Sequence, residues 1–184
     1  MSESFPGEGG RRPEGVMHDL QTIAKRLKAL KPRIPLIIGA EIVSFSLDNF
    51  DKQGFHDTIF KRWEGRREND PGRSLLIGRQ SGRGRRSIRI LRRSATRVEA
   101  GTDLEYMELH NTGGQLKVPV TEKSRKFFWA MWYKTKDGKW RALALTRKKQ
   151  LTINIPMRRF IGESAALDKR IEKAIENELE RVHR

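Results

Sequence analysis

The 184-residue sequence contains no cysteine. This absence excludes a disulfide scaffold, a thiolate zinc site, an iron–sulfur cluster and a cysteine nucleophile, and it agrees with assembly in a reducing cytoplasm. Long apolar runs are missing too, since none approaches the ~18 residues of a membrane span. The first residues are polar and glycine-rich where a signal peptide would be apolar. We therefore expect a protein that neither spans a membrane nor is secreted.

Acidic residues are few relative to basic ones. The chain has 39 Lys and Arg against 23 Asp and Glu, which gives a net charge of +16. This charge indicates an anionic neighbour, which can be nucleic acid, an acidic protein surface or a membrane face. Hydrophobic residues make up only 36%, so we expect one domain with part of the chain outside its core.

The order of hydrophobic patterns predicts an α+β fold. Residues 1–15 are expected to be a flexible N-terminal arm, and 16–184 a single domain. Two N-terminal helices and a C-terminal helix capped by Ser164 should pack on a small, largely antiparallel sheet, with strands near 88–92, 95–100 and 151–155. The second helix should be the most buried one, and its apolar stripe is formed by Ala40, Val43, Leu47 and Phe50.

Residues 117–150, here called the insert, depart most from a compact domain. Alternating valines, an aromatic run and the turn signal Lys136-Asp137-Gly138-Lys139 predict a projecting β-hairpin arm. Ten Lys or Arg and one acid lie between 123 and 149. The rings can stack on single-stranded nucleic acid, or pack on the chain's own core or on a neighbouring subunit, and we favour protein packing. The candidate interface rings are Phe127, Phe128, Trp129, Trp132, Tyr133 and Trp140.

A second basic segment, the arginine block at 79–97, has eight arginines and no acid. Such a block is typical of a polyphosphate-binding surface, so we expect it to approach DNA. The candidate DNA-channel residues are Arg83, Arg85, Arg86, Arg89, Arg92 and Arg93.

Catalytic chemistry has little support in the sequence. The His110-Asn111 pair superficially resembles the start of an HNH nuclease signature, but a metal nuclease needs several convergent ligands. The pair more simply ends a helix before two glycines. The carboxylates Asp48, Asp51 and Asp57 lie among amides and lysines and are expected on a solvated surface. We therefore expect no enzyme, no metal and no cofactor.

Four short stretches in order resemble a known family. They are NFDKQGF (49–55) followed by Trp63, SGRGRRSI (81–88), GTDLEYMELHNTGG (101–114) and IPMRRFIG (155–162). In this order and spacing they resemble the phage virion morphogenesis family, the protein-G-like proteins of Mu-type phages, which are related to tail completion proteins. The resemblance covers about residues 36–182, with the insert as a less regular part. Two positions depart from the family pattern: Gly84 stands where leucine is usual, and Met107 replaces a small residue.

The resemblance implies a non-enzymatic structural protein of the virion neck, assembled in the host cytoplasm. Such a protein completes the tail or joins head to tail as a ring around the DNA channel, most simply a hexamer. Its partners would be other copies of the chain and neighbouring neck, tail terminator, tail tube or connector proteins, with non-specific contact to packaged DNA and none to a membrane. The alternative is a free basic nucleic-acid-binding protein. The motif positions, read as fold-defining, are Tyr106, His110, Asn111, Gly113, Gly114, Pro156, Arg158 and Phe160.

Overall fold

A computed structural model describes residues 13–65, 74–77 and 82–183 of the chain. The helices are α1 (Pro13–Leu30), α2 (Ile34–Lys52), α3 (Arg83–Arg86), α4 (Glu105–Thr112), α5 (Glu122–Thr135), α6 (Gly138–Ala144) and α7 (Ala165–His183). The strands are β1 (Gly54–His56), β2 (Phe60–Arg62), β3 (Arg89–Arg93), β4 (Val98–Gly101), β5 (Gly114–Pro119) and β6 (Gln150–Ile155). The fold is α+β, as the sequence predicts. The flexible-arm boundary was wrong by three residues, since α1 begins at Pro13, and residues 1–12 lie outside the described ranges.

The strands form three separate two-stranded antiparallel ladders, β1–β2, β3–β4 and β5–β6. The expectation of one small sheet was therefore wrong, while the antiparallel pairing was right. The ladders stay apart because β1 and β2 have only three residues each and β3–β4 lies against α2. Gly39 marks the close approach of α2 to this ladder, since a Cβ there would lie 2.7 Å from a methyl of Val98 and 2.8 Å from Ile90. Ile90 and Val98 thus point toward α2.

The centre of the domain is an aromatic cluster beneath α2. Phe50 is fully buried, with its ring 5.6 Å from Trp63 and 5.0 Å from Phe160, and Ile88 and Met107 complete the cluster. A second cluster, formed by Phe45, Phe55 and Leu167, joins α2 to β1 and α7. The predicted stripe on α2 is correct in part, because Val43 and Leu47 pack on the first cluster, whereas Ala40 is exposed.

The helix ends follow the local sequence. Pro35 lies in the first turn of α2, where its missing N–H leaves no donor unsatisfied. Gln53 ends α2 in the left-handed conformation, with φ of 56°, and its side-chain amide bonds the Phe50 carbonyl and the backbone of Leu75. The Ser164 hydroxyl accepts from the amide of Leu167 at 3.2 Å, which confirms it as the cap of α7.

The insert is not a β-hairpin, and this prediction was wrong. Only its base is a ladder, in which β5 pairs with β6 from Gly114 opposite Ile155 to Pro119 opposite Gln150. Between the strands the chain folds into the helical pair α5 and α6. Thr121 and Ser124 form a capping box that starts α5, and the predicted turn at Asp137 joins two helices instead of two strands.

Candidate interaction surfaces

The segment 156–162, after β6, is the point where the family-like motifs meet. The carbonyl oxygen of the Asn111 side chain accepts from the amides of Phe160 at 2.9 Å and Ile161 at 3.2 Å. Asn49 in α2 donates to the Phe160 carbonyl at 3.2 Å, and Trp63 donates to the Arg159 carbonyl at 2.8 Å. Three side chains distant in sequence thus hold one short segment by its backbone.

The end of α4 fits against the same segment. The His110 carbonyl accepts from the Arg158 amide at 2.7 Å. Gly113 (φ 71°) and Gly114 (φ 146°) take positive φ values, as the sequence predicts for this turn. A Cβ on Gly113 would lie 2.8 Å from the amide nitrogen of Met157, so glycine is also required by space.

Pro156, Arg158 and Tyr106 have different surroundings. Pro156 directly follows the last residue of β6, where its missing N–H ends the strand pairing. Arg158 reaches back and donates to the carbonyls of Glu64 and Gly65. Tyr106 is about half exposed, with its ring edge-on to His110 at 6.4 Å.

His110 lies partly buried near the end of α4. Its Nδ1 is buried and has no hydrogen-bond partner among the described residues. Burial lowers the pKa of His110, and the positive charge of Arg158 lowers it further. The neutral ring is therefore favoured, packed at the end of α4.

The three candidate carboxylates lie apart, each with its own partner. Asp48 pairs with Arg170 at 2.6 Å, Asp51 pairs with Arg85 at 2.9 Å, and Asp57 accepts from the amide of Ala165 at 3.0 Å. Among the described residues, no group of three His, Asp or Glu side chains is placed to hold a metal ion. No helix in that part of the chain is long and apolar enough to cross a membrane.

The arginine block is partly neutralised by nearby acids. Besides Arg85, Arg89 pairs with Asp103 at 3.1 Å and Arg92 approaches Glu99 at 3.9 Å. Arg83, Arg86 and Arg93 are exposed as well, and Arg86 and Arg93 form no ion pair within the described ranges. Exposed pairs contribute little and exchange readily, so the block stays basic but is not a bare cationic strip.

The aromatic residues of the insert fall into two groups. Around Trp140 of α6, Phe128 stacks at 6.1 Å and Phe127 lies edge-on at 5.9 Å. Within α5, Trp129 meets Trp132 edge-on at 5.5 Å, and Tyr133 lies 4.8 Å from Trp132. All six predicted rings are thus brought into contact with other rings, although Phe127 and Tyr133 keep 53% and 63% of their surface exposed.

Cations cover several of the ring faces. The Lys136 ammonium lies 5.4 Å from the Trp132 ring and 5.5 Å from that of Tyr133, and the Arg141 guanidinium lies 5.8 Å from Trp132. The Lys139 ammonium lies 5.4 Å from Trp140. These contacts occupy faces on which bases would otherwise stack.

The insert has almost no core of its own and little contact with the body. No residue of α5 is buried, and in α6 only Ala144 is. Among the described elements, α5 packs on α6 and β5 on β6, while none of the four packs extensively on α1, α2 or α7. The helical pair therefore extends from the domain on a two-stranded stem.

The sequence interpretation missed Arg170, which lies on α7 and binds three residues of α2. Its guanidinium contacts Glu41 at 3.2 Å, Asp48 at 2.6 Å and Ser44 at 2.9 Å. The available signal was the spacing of Glu41, Ser44 and Asp48, which puts them on one face of a helix. Nothing in the sequence pairs this face with Arg170.

Comparisons of the chain with protein-family models, with curated proteins and with solved structures return no match.

Proposed function

We propose that this chain is a non-enzymatic structural subunit of a phage neck, which forms a ring around the DNA channel and completes the tail or joins it to the head. It would assemble in the bacterial cytoplasm, most simply as a hexamer, and remain in the virion. Its partners would be further copies of itself and the neck, terminator, tube or connector proteins next to it. The observation that carries the proposal is the convergence of the family-like motifs on one segment.

The motifs contact one another through this segment. The segment IPMRRFIG is held by Asn49 from the first motif, by Trp63, and by Asn111 from the third motif. Buried backbone groups need such partners, and the first and third motifs supply them, while the second motif contributes Ile88 to the buried cluster that contains Phe160. Four stretches that are separate in the sequence thus lie together in the fold, and this supports the resemblance.

The two departures from the family pattern also lie in contact. A Cβ on Gly84 would lie 2.8 Å from the sulfur of Met107, and Met107 is only 1% exposed. Met107 therefore fills space that the usual leucine at position 84 would need. The packing at these positions is close, because one small residue and one large residue compensate each other.

The insert supports an assembly role. It carries exposed rings and eleven Lys and Arg against two acids over 117–150, with few contacts to the body. An isolated subunit gains little from such an element, whereas aromatic anchors inside a polar rim are typical of protein interfaces.

The test is the mass and shape of the purified chain. Light scattering after size-exclusion chromatography should give a multimer, and electron microscopy should show rings with a central channel. Deleting residues 121–148 and bridging with glycines should leave a folded monomer, since Val120 and Lys149 are already joined by a backbone hydrogen bond of 2.8 Å. Rings that form normally without the insert would contradict its assembly role.

The competing function, a free nucleic-acid-binding protein, has a different outcome in the same experiment. It requires a monomer that binds short oligonucleotides tightly at physiological salt. A ring subunit that merely lines a channel should instead bind DNA weakly, without sequence preference and with a steep dependence on salt.

A further inference from the structure

The outer face of α5 is a cationic surface whose lysines have no acidic partner among the described residues. Its exposed residues include Lys123, Lys126 and Lys134, with the half-exposed rings of Phe127 and Tyr133 between them. None of the three lysines forms an ion pair within the described residues. This face therefore combines free positive charge with exposed aromatic area.

Two inserts cannot satisfy each other. Each carries eleven Lys and Arg and two acids, so a symmetric contact between inserts would bring like charges together. The insert must then dock on a different surface. When identical chains join through two different surfaces, the contact is head-to-tail, and such contacts form a ring when the rotation between successive copies closes.

An acidic row of suitable length lies on α7. Asp168, Glu172, Glu176 and Glu180 follow one another at intervals of four residues, and all four are exposed. Like charges at this spacing repel along a helix. None of the four forms an ion pair within the described part of the chain, so the row is open to a cationic partner.

The two rows match in length. At 1.5 Å per residue, Lys123 to Lys134 spans about 16 Å, and Asp168 to Glu180 spans about 18 Å. Lys169 and Lys173 lie beside the acidic row, and an aromatic ring can accept an ammonium group on its face. Phe127 is exposed, and no described cation covers its ring, so its face can receive a lysine that flanks the row.

We propose that the outer face of α5 in one copy docks on the acidic row of α7 in the next copy. The inference rests on the proposed function, since it names the two surfaces that make the ring. The expected partner is a second copy of this chain, because the two surfaces match in charge and in length and because contact between two inserts is disfavoured.

The experiment is a charge exchange on the full-length chain. Lys123→Glu with Lys126→Glu reverses two charges on the outer face of α5. Glu172→Lys with Glu176→Lys reverses two charges in the acidic row. Each pair of changes should raise the concentration needed for assembly at least about tenfold, and all four together should restore it to within about threefold of the wild type. Far-ultraviolet circular dichroism of each variant checks that the helices remain.

Matched controls use exposed charges elsewhere. Glu105→Lys with Glu108→Lys on α4, and Lys52→Glu with Lys61→Glu at α2 and β2, change the net charge equally and should leave assembly unchanged. Wild-type assembly should also weaken as salt rises, because the contact is electrostatic.

The outcomes separate this inference from the function it rests on. A wild-type ring that tolerates both reversals, or fails to recover with all four changes, overturns the contact and leaves the ring in place. A chain that stays monomeric at every concentration overturns both. A monomer whose insert binds an oligonucleotide, with the binding lost on Lys123→Glu and Lys126→Glu, would assign the face to nucleic acid and overturn the contact.

Discussion

Replacing Asn111 by alanine tests the segment 156–162 most directly. Its side-chain oxygen accepts from two backbone N–H groups, those of Phe160 and Ile161. Because both partners are donors, the atom that faces them must be the carbonyl oxygen of the amide. Alanine leaves both donors without a partner beside a core ring that is almost fully buried.

The magnitude follows from the surroundings. A buried donor without a partner costs about 1–3 kcal/mol. Ile161 is only half-buried, so water can partly replace its bond, and Asn111→Ala should lower the free energy of unfolding by about 2–4 kcal/mol. With a urea slope near 2 kcal/mol/M, the midpoint should fall by about 1–2 M.

Replacement of asparagine by aspartate should be tolerated at position 111 and should destabilise the fold at position 49. Asn111→Asp keeps an acceptor oxygen toward both amides, so it should stay within about 1 kcal/mol of the wild type at pH 7. Asn49 is only 1% exposed and donates to the Phe160 carbonyl. Asn49→Asp would place a buried carboxylate against that carbonyl and should cost more than about 3 kcal/mol. If Asn111→Asp is as damaging as Asn111→Ala, the oxygen is not what matters, and the reasoning fails.

Three further measurements test the packing around this segment. Phe50→Ala should cost about 3–5 kcal/mol in urea unfolding, and a loss below about 1 kcal/mol would show that α2 is not central. Gly84→Leu and Met107→Ala should each destabilise the chain, while the double variant should recover at least about 1 kcal/mol of their summed loss; strict additivity would mean that the two positions do not compensate. Because the pKa of His110 is lowered in the fold, the unfolded chain binds more protons as pH falls below about 6.5, so stability should fall there and His110→Gln should flatten that part of the curve. An unchanged pH dependence in that variant would show that other groups control it.

The parts that were predictable from sequence are those that local chemistry decides. Pro35 and Ser164 fix the starts of helices because their roles there need no distant partner. The turn at Gly113 was predictable in the same way, since consecutive glycines after a short helix indicate positive φ. Long-range partners were not predictable, because no local feature of the sequence indicates that Asn49 bonds the Phe160 carbonyl, 111 residues away.

The sequence of the insert contains signals for strands and signals for helices. Aromatic and β-branched residues favour strands, and the pattern around Phe128 was interpreted on that basis. The helical signals were also present: a Thr-x-x-Ser capping box from Thr121, and inner-face residues Phe128, Met131 and Trp132 at helical spacing. The correct choice depends on α6, because only a second helix gives the inner rings something to pack on.

The rings of the insert differ in their contacts and exposure, so removing different rings should have different effects. Helices of this length are marginal alone, since about 12–15 residues are needed even in favourable sequences, and α5 and α6 have 14 and 7 residues. The contacts of Phe127 and Phe128 with Trp140 of α6, at 5.9 Å and 6.1 Å, join the two helices, so losing the Trp140 ring should loosen the insert and weaken assembly. Tyr133 contacts rings of α5 and is 63% exposed, so losing its ring should weaken docking while the helices remain. Circular dichroism can separate the two effects: helix content should fall in Trp140→Ala and persist in Tyr133→Ala.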